Sequence, residues 1–244
     1  MRQMTLFLAV AAMLLAMSGC SDQETTIPTA PGDQSAIDKA AGLPAIVPAH
    51  ARPHGKTYGK WSELWWQWMA SAPATPEGNP VLDQTGDLID YGQSGPVWFV
   101  ASSVEPGVVR EASIPPGKSL FVCLAAFETS SWEGYGDTEE ELRAAAAEAV
   151  DLITVTEFSI DGVAMPVGAD FRVQSDGMFS LTVPEENVFD WWGFPAPAGT
   201  YYPSVADGYY VMLAPLSRGD HTVVIAWTFL DLVADLTIHL HVGP

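Results

Sequence analysis

The stretch SLFVCLAAFE, residues 119–128, decides the fold. It is apolar over almost its whole length and follows the turn-forming residues Pro115, Pro116 and Gly117. A short apolar run between turn signals is typical of a β-strand that is covered on both faces. The sequence therefore predicts a central strand here, with other elements packed against each of its faces.

Segments of strand character lie on both sides of this central strand. PVWFVASS and VVREASI precede it, and FRVQS, MFSLTVP, GYYVMLAPL, HTVVIAWTF and DLTIHLHV follow it. The dipeptide Asp161-Gly162 is a hairpin signal, and the last segment alternates apolar and polar residues as a half-buried strand does. Most links are short, which favours antiparallel pairing. We therefore predict a mainly β protein, an antiparallel β-sandwich resembling a jelly roll, with two accessory α-helices.

The first accessory helix is predicted near residues 58–71 and contains the tryptophan-rich stretch WSELWWQWM. Helical spacing gives it one apolar face, formed by Trp61, Leu64, Trp65 and Trp68. It also gives the helix an opposite polar face, formed by Lys60, Glu63 and Gln67. Trp66 lies outside the apolar arc, so two outcomes are open for it. A following loop covers this side chain as part of the core, or it is exposed to a ligand.

The second accessory helix is predicted near residues 138–153. Asp137 is the expected N-cap, and Glu140 follows three residues later as in a capping box. Leu142, Ala146 and Val150 share a face, so this helix is expected to lie against an apolar surface.

The N-terminus has the features of an export signal. A single cation and a short apolar run precede Met17-Ser18-Gly19-Cys20, which resembles the lipobox of bacterial lipoproteins. We expect residues 1–19 to be the signal peptide and a lipid on Cys20 to anchor the protein to the cell envelope. The residue after the cysteine is Ser21 rather than an aspartate, which favours sorting to the outer membrane. Residues 20–57 are rich in proline and predict a disordered tether, followed by a single domain at 58–244. The alternative is a plain secretory signal in which Cys20 is incidental.

The charge of the chain limits its binding partners, and the position of its second cysteine predicts a buried thiol. The formal net charge is −20, which excludes nucleic acid because phosphate binding needs clustered cations. The second cysteine, Cys123, lies inside the central apolar strand and is expected to be a buried thiol.

Several motifs together resemble an uncharacterised family of exported bacterial proteins with a YxxW...WWxW opening. They are Tyr58, Trp61, WWQW, NPVLDQTGD, QSGPVWFV, Pro116-Gly117-Lys118 and the closing PLSRGDHTVVI. The resemblance covers most of residues 58–244 and implies a secreted or surface-attached β-rich domain. It brings no established activity.

Catalytic motifs of recognisable strength are absent from the sequence. No Gly-x-Ser-x-Gly elbow or phosphate-binding loop occurs, and no cofactor is predicted. His239 and His241 share a strand face, and His221 precedes them in the neighbouring strand. The three side chains could form a metal site, which is the more specific hypothesis. Histidines that are simply solvated are the favoured interpretation. A calcium site from Asp83, Asp87 and Asp90 is weighed in the same way against an acidic surface loop.

Two hypotheses about function follow. The first is a non-enzymatic binding or structural domain whose Trp66, Trp191 and Trp192 stack on a polysaccharide or protein partner at the envelope. The second is a metal-dependent enzyme on a jelly-roll scaffold that uses His221 with His239 and His241. The sequence favours the first.

Overall fold

The structure is a computed structural model and describes residues 44–75 and 78–243. Its strands are β1 (Ile46–Val47), β2 (Val97–Ala101), β3 (Val108–Ile114), β4 (Ser119–Ser130), β5 (Ile153–Ile160), β6 (Val163–Ala164), β7 (Arg172–Gln174), β8 (Phe179–Val183), β9 (Gly199–Leu213), β10 (Gly219–Phe229) and β11 (Leu232–Val242). Its α-helices are α1 (Tyr58–Ala70), α2 (Glu139–Val150) and α3 (Val188–Trp191).

The strands form two sheets that pack face to face, which confirms the predicted β-sandwich. The first sheet has the order β1-β9-β4-β2, and β7 and β8 also pair with β9. The second has the order β3-β11-β10-β5-β6. Most pairs are antiparallel, but β2 pairs with β4 and β3 pairs with β11 in parallel. Those parallel pairs arise because β3, which lies between β2 and β4 in the chain, joins the other sheet.

Strand β4 is buried on both faces, as its apolar sequence predicts. Leu120 and Val122 point into the core between the two sheets, together with residues of β10 and β11. Phe121 and Cys123 alternate with them and point to the other side, where α1 covers the first sheet. Because side chains alternate along a strand, one continuous apolar run supplies two separate cores.

Helix α1 lies on the outer face of the first sheet and is buried on nearly all sides. Trp61, Trp65 and Trp68 are in the core, as their spacing predicts, whereas Leu64 on the same face is only partly buried. The expected polar face is wrong for Glu63, which is only 4% exposed. The segment between β7 and β8 covers that side, and the backbone N–H of Gly177 donates a hydrogen bond to the Glu63 carboxylate. A loop distant in sequence therefore buries one residue of the polar face, whereas Lys60 and Gln67 stay partly exposed.

Local signals elsewhere are accurate to within a few residues. The N-cap of α2 is Thr138 rather than Asp137, and its capping box is completed by Glu141 rather than by Glu140. The hairpin between β5 and β6 turns at Asp161 and Gly162, both of which have positive φ, as the Asp-Gly dipeptide predicts. The short helix α3 was not predicted.

Part of the predicted tether packs against the domain. Ile46 and Val47 pair with β9, and the Nε1 of Trp61 donates a hydrogen bond to the backbone oxygen of Pro53 at 3.0 Å. At least from Ala45, whose backbone oxygen accepts a hydrogen bond from Ala214, the segment before residue 58 therefore contacts the domain. Cys20 lies outside the described residues. Within the described ranges, every helix is too short or too polar to cross a membrane.

Candidate ligand-binding cavity

A cavity of about 340 Å³ lies along an open edge of the first sheet. Strand β2 pairs with β4 only from Ser119 to Cys123. Beyond that point no strand in the described chain pairs with the same edge of β4, whose other edge is occupied by β9. The turn between β10 and β11, helix α1 and the segment around α3 close the remaining sides. Its volume is in the range of small-molecule sites, about 300 to 1,000 Å³.

Aromatic side chains form most of the cavity wall. Five tryptophans line it: Trp65, Trp66, Trp191, Trp192 and Trp227. They come from α1, from β10 and from the end of α3 with the residue after it, so the wall is assembled from parts of the chain that are far apart in sequence. Aromatic rings offer large apolar contact areas to a ligand.

The three tryptophans that the sequence singles out for ligand stacking all border this cavity. Trp66 is only 4% exposed, and its Nε1 donates a hydrogen bond to the hydroxyl of Tyr210 at 3.0 Å. The ring of Trp192 is partly buried and meets Trp66 edge to face, with 6.5 Å between ring centroids. Trp191 is 40% exposed. Trp66 is thus a wall of the cavity, whereas Trp191 lies at its solvent-accessible margin.

Two carboxyl groups, from Glu128 and Glu133, also line the cavity. Glu128 is the single acidic residue of β4 and is 4% exposed. Neither of its carboxyl oxygens accepts a hydrogen bond of good geometry from an N–H or O–H group of the described residues, although Ser130, Ser204 and Glu133 lie close enough to act on its pKa. Glu133 follows in the next loop and accepts a hydrogen bond from the Ser130 hydroxyl at 2.6 Å. Buried polar atoms are almost always partnered, so the bare oxygens of Glu128 are unusual.

Burial changes the protonation of this pair. Desolvation, with the nearby charge of Glu133, raises the pKa of Glu128 well above its ordinary value. Desolvation likewise raises the pKa of Glu133 to about 7. Burial and the two adjacent carboxyls also raise the pKa of the Tyr135 hydroxyl, which lines the same cavity. Both carboxyls therefore retain their protons to higher pH than an ordinary glutamate does.

Sequence reasoning did not select Glu128 or Glu133. With 30 acidic residues in the chain, no pairing between any two of them is informative. One signal was present, because Glu128 ends an apolar segment that is expected to be covered on both faces, and an acidic residue in such a place is costly to bury.

The thiol of Cys123 borders the cavity, but its environment disfavours reactivity. Burial raises the pKa of this thiol well above its ordinary value. Since the thiolate is the nucleophilic form, the group behaves as a buried apolar side chain, as the sequence predicts.

The three candidate metal-ligating histidines border a different feature, an open groove of about 700 Å³. His239 and His241 point outward from β11, as expected. His221 pairs in register with Leu240, so alternation places it on the inner face, where its Nδ1 is 2.8 Å from the carboxylate of Asp161. His241 contacts Asp220 instead, at 2.6 Å. The three imidazoles do not converge, and residues 44–75 and 78–243 contain no group of three or more His, Cys, Asp or Glu arranged to hold a metal ion.

The three aspartates considered for a calcium site differ in their surroundings: one is buried and hydrogen-bonded within its loop, and two are exposed. The carboxylate of Asp83 accepts hydrogen bonds from the backbone N–H groups of Thr85, Gly86 and Leu88. Although burial acts to raise it, these bonds and the nearby Arg110 lower the pKa of Asp83. Asp83 thus organises its own loop. Asp87 and Asp90 are exposed along the histidine-bordered groove.

Comparisons with known proteins give no information about function. No family model and no curated protein sequence matches the chain. Among solved structures, a cysteine protease inhibitor from Entamoeba histolytica is 11% identical, covering 55% of this chain and 86% of its own, with a TM-score of 0.20. The solution structure of amebosin is 10% identical, covering 54% and 89%, with a TM-score of 0.18. Similarity this low carries no argument about function.

Proposed function

We propose that this protein is an exported, lipid-anchored envelope protein whose domain binds a mainly apolar small ligand in the tryptophan-lined cavity. The cavity is the observation that carries the proposal. A core that needed only stability would be close-packed, because each unfilled volume forfeits contacts between its walls. Here an opening of about 340 Å³ is held between two sheets and a helix.

Binding is better supported than nucleophilic catalysis. The thiol at the cavity has a raised pKa, and no histidine lines the wall to activate it. The enzyme hypothesis built on His221, His239 and His241 is weaker, because His221 lies on the inner face of the sheet, opposite to the other two, although all three border the same groove. The lipobox at Cys20 supports attachment to the envelope, and the proline-rich segment after it supports a tether that holds the domain away from a membrane.

A neutral fluorescent dye such as Nile red tests the binding role. We expect saturable binding at one site, weakened about 2- to 12-fold by Trp191→Ala, which corresponds to about 0.5 to 1.5 kcal/mol of aromatic contact. Trp191 is suited to this test because its exposure of 40% limits the cost in stability. Met178→Ala is the matched control, since Met178 is 37% exposed and does not line the cavity. Equal affinity of both variants and the parent would place any binding elsewhere and refute the proposal.

A further inference from the structure

The cavity wall is unbalanced in charge. Its titratable residues are Glu128, Glu133, Asp231, Tyr135 and Cys123, and its lining contains no lysine, arginine or histidine. An anionic ligand such as a fatty acid would meet carboxyl groups without a compensating cation. The wall therefore disfavours an anionic ligand.

The polar groups of the wall are also unequal in their remaining capacity to bind. The hydroxyl of Ser102 accepts a hydrogen bond from the Nε1 of Trp227, and that of Ser103 accepts one from the backbone N–H of Glu105. The two oxygens of Glu128, in contrast, accept no hydrogen bond of good geometry from the described residues, although Ser130, Ser204 and Glu133 lie beside them. A polar ligand with many hydroxyl groups would leave most of them unsatisfied against this wall, at a cost for each one. The wall suits a ligand with one polar end.

We propose that the cavity binds an amphiphilic organic amine, with its ammonium group beside Glu128 and Glu133 and its apolar body between the tryptophan rings. This inference rests on the proposed binding function and specifies its ligand class. An ammonium group donates hydrogen bonds, which the bare oxygens of Glu128 can accept, and it is attracted to the faces of tryptophan rings. It also supplies the positive charge that the wall lacks. The net charge of −20 further favours the approach of a cation.

Proton release provides a signature of this arrangement. The raised pKa of Glu128 favours its protonated form, and the two carboxyls are too close to ionise together without cost. An adjacent ammonium group favours the ionised form, so binding should transfer protons from the carboxyls to bulk solvent. A neutral ligand of the same size would leave protonation unchanged.

Three probes with the same eight-carbon chain test the inference at pH 7: octylamine, 1-octanol and octanoate. Calorimetry on the purified protein, in buffers of different ionisation enthalpy, measures affinity and proton release together. We expect octylamine to bind at least about 10-fold more tightly than 1-octanol, the range of a charge-assisted hydrogen bond, with net proton release. Octanoate should bind more weakly than either. The double variant Glu128→Gln/Glu133→Gln should lose the preference for octylamine while its affinity for 1-octanol stays within about 3-fold, and the exposed Glu140→Gln is the control for loss of charge.

The outcomes separate the two proposals. Binding of 1-octanol as tight as that of octylamine overturns the amine inference but leaves an apolar binding cavity. Failure of all three probes overturns the inference, and the Nile red measurement then decides separately whether the cavity binds anything. If the double variant does not fold, the three probes still decide with the unmodified protein, because the effect of the head group and the proton count need no substitution.

Discussion

Replacement of Trp66 by alanine tests whether the tryptophan-rich helix is held in the core on all sides. Trp66 is 4% exposed and lies edge to face against Trp65, with 5.3 Å between ring centroids. Truncating a buried tryptophan costs about 3 to 5 kcal/mol. Because one side of the Trp66 ring already borders the cavity, it has fewer packing partners than a fully enclosed ring, and we expect a value near the lower end of that range.

A conservative variant separates the polar part of this effect from packing. Trp66→Phe keeps an aromatic ring but removes the Nε1 donor that reaches the fully buried hydroxyl of Tyr210. Losing one partner of a buried hydrogen bond costs about 1 to 3 kcal/mol. The expected order of stability is therefore parent, then Trp66→Phe, then Trp66→Ala, with Trp191→Ala close to the parent because Trp191 is 40% exposed.

Urea unfolding followed by far-ultraviolet circular dichroism measures these free energies without depending on tryptophan emission. A loss of 3 to 5 kcal/mol in a domain of this size corresponds to a fall in melting temperature of about 6 to 20 °C. A Trp66→Ala protein within about 1 kcal/mol of the parent, with an unchanged slope against urea, would refute the account of Trp66 as a structural wall. Trp66 would then contribute to ligand binding and not to stability.

Three further predictions concern other parts of the chain. The carboxyl of Glu128 has a raised pKa in the folded state, so the native state holds a proton that the unfolded state releases above about pH 4.3. Stability should therefore fall as pH rises above that point, and Glu128→Gln should lessen the slope by up to about 1.4 kcal/mol per pH unit. Parallel pH profiles for the two proteins in equilibrium unfolding would contradict this. A chain beginning at residue 58 should be about 2 to 4 kcal/mol less stable than one beginning at residue 44, because it lacks β1 and the backbone oxygen of Val47 that accepts from the buried hydroxyl of Tyr58; equal urea midpoints would show that these contacts contribute nothing. Finally, Cys20→Ser should abolish lipid attachment and leave the protein unprocessed or released from membranes in cell fractionation, whereas an unchanged membrane fraction would remove the lipoprotein assignment.

Local sequence signals predict much of the fold because they depend on neighbours along the chain. The bounds of β3 match the segment VVREASI, and the Asp161-Gly162 turn forms where its dipeptide indicates. Burial of Glu63 could not be predicted, because it depends on Gly177, which is 114 residues away. The parallel pairing of β2 with β4 has the same kind of cause, since it requires the intervening strand to join the other sheet.

The candidate site is harder to predict than the fold, since its chemistry arises only from long-range assembly. Trp66 and Trp191 could be selected by residue type, yet nothing local indicates that they border one cavity. The carboxyls of Glu128 and Glu133 are two among 30 acidic residues until the sheet edge and the aromatic wall surround them. Their unusual protonation follows from that burial and from no motif.

The same tryptophan cluster serves stability and the cavity, and this overlap determines which substitutions are informative. On one side of α1, Trp61 and Trp68 pack against Phe99 of β2, with ring centroids 6.1 and 5.4 Å away. On another side, Trp66 forms part of the cavity wall. Because both sides belong to one rigid helix, loss of ligand binding after a substitution in α1 cannot be separated from loss of folding. Trp191 lies at the exposed margin and is not part of this packing, so a change there alters the cavity with little effect on the fold. A fall in affinity at Trp191 without a fall in stability would therefore show that the cavity, rather than the helix anchor, binds the ligand.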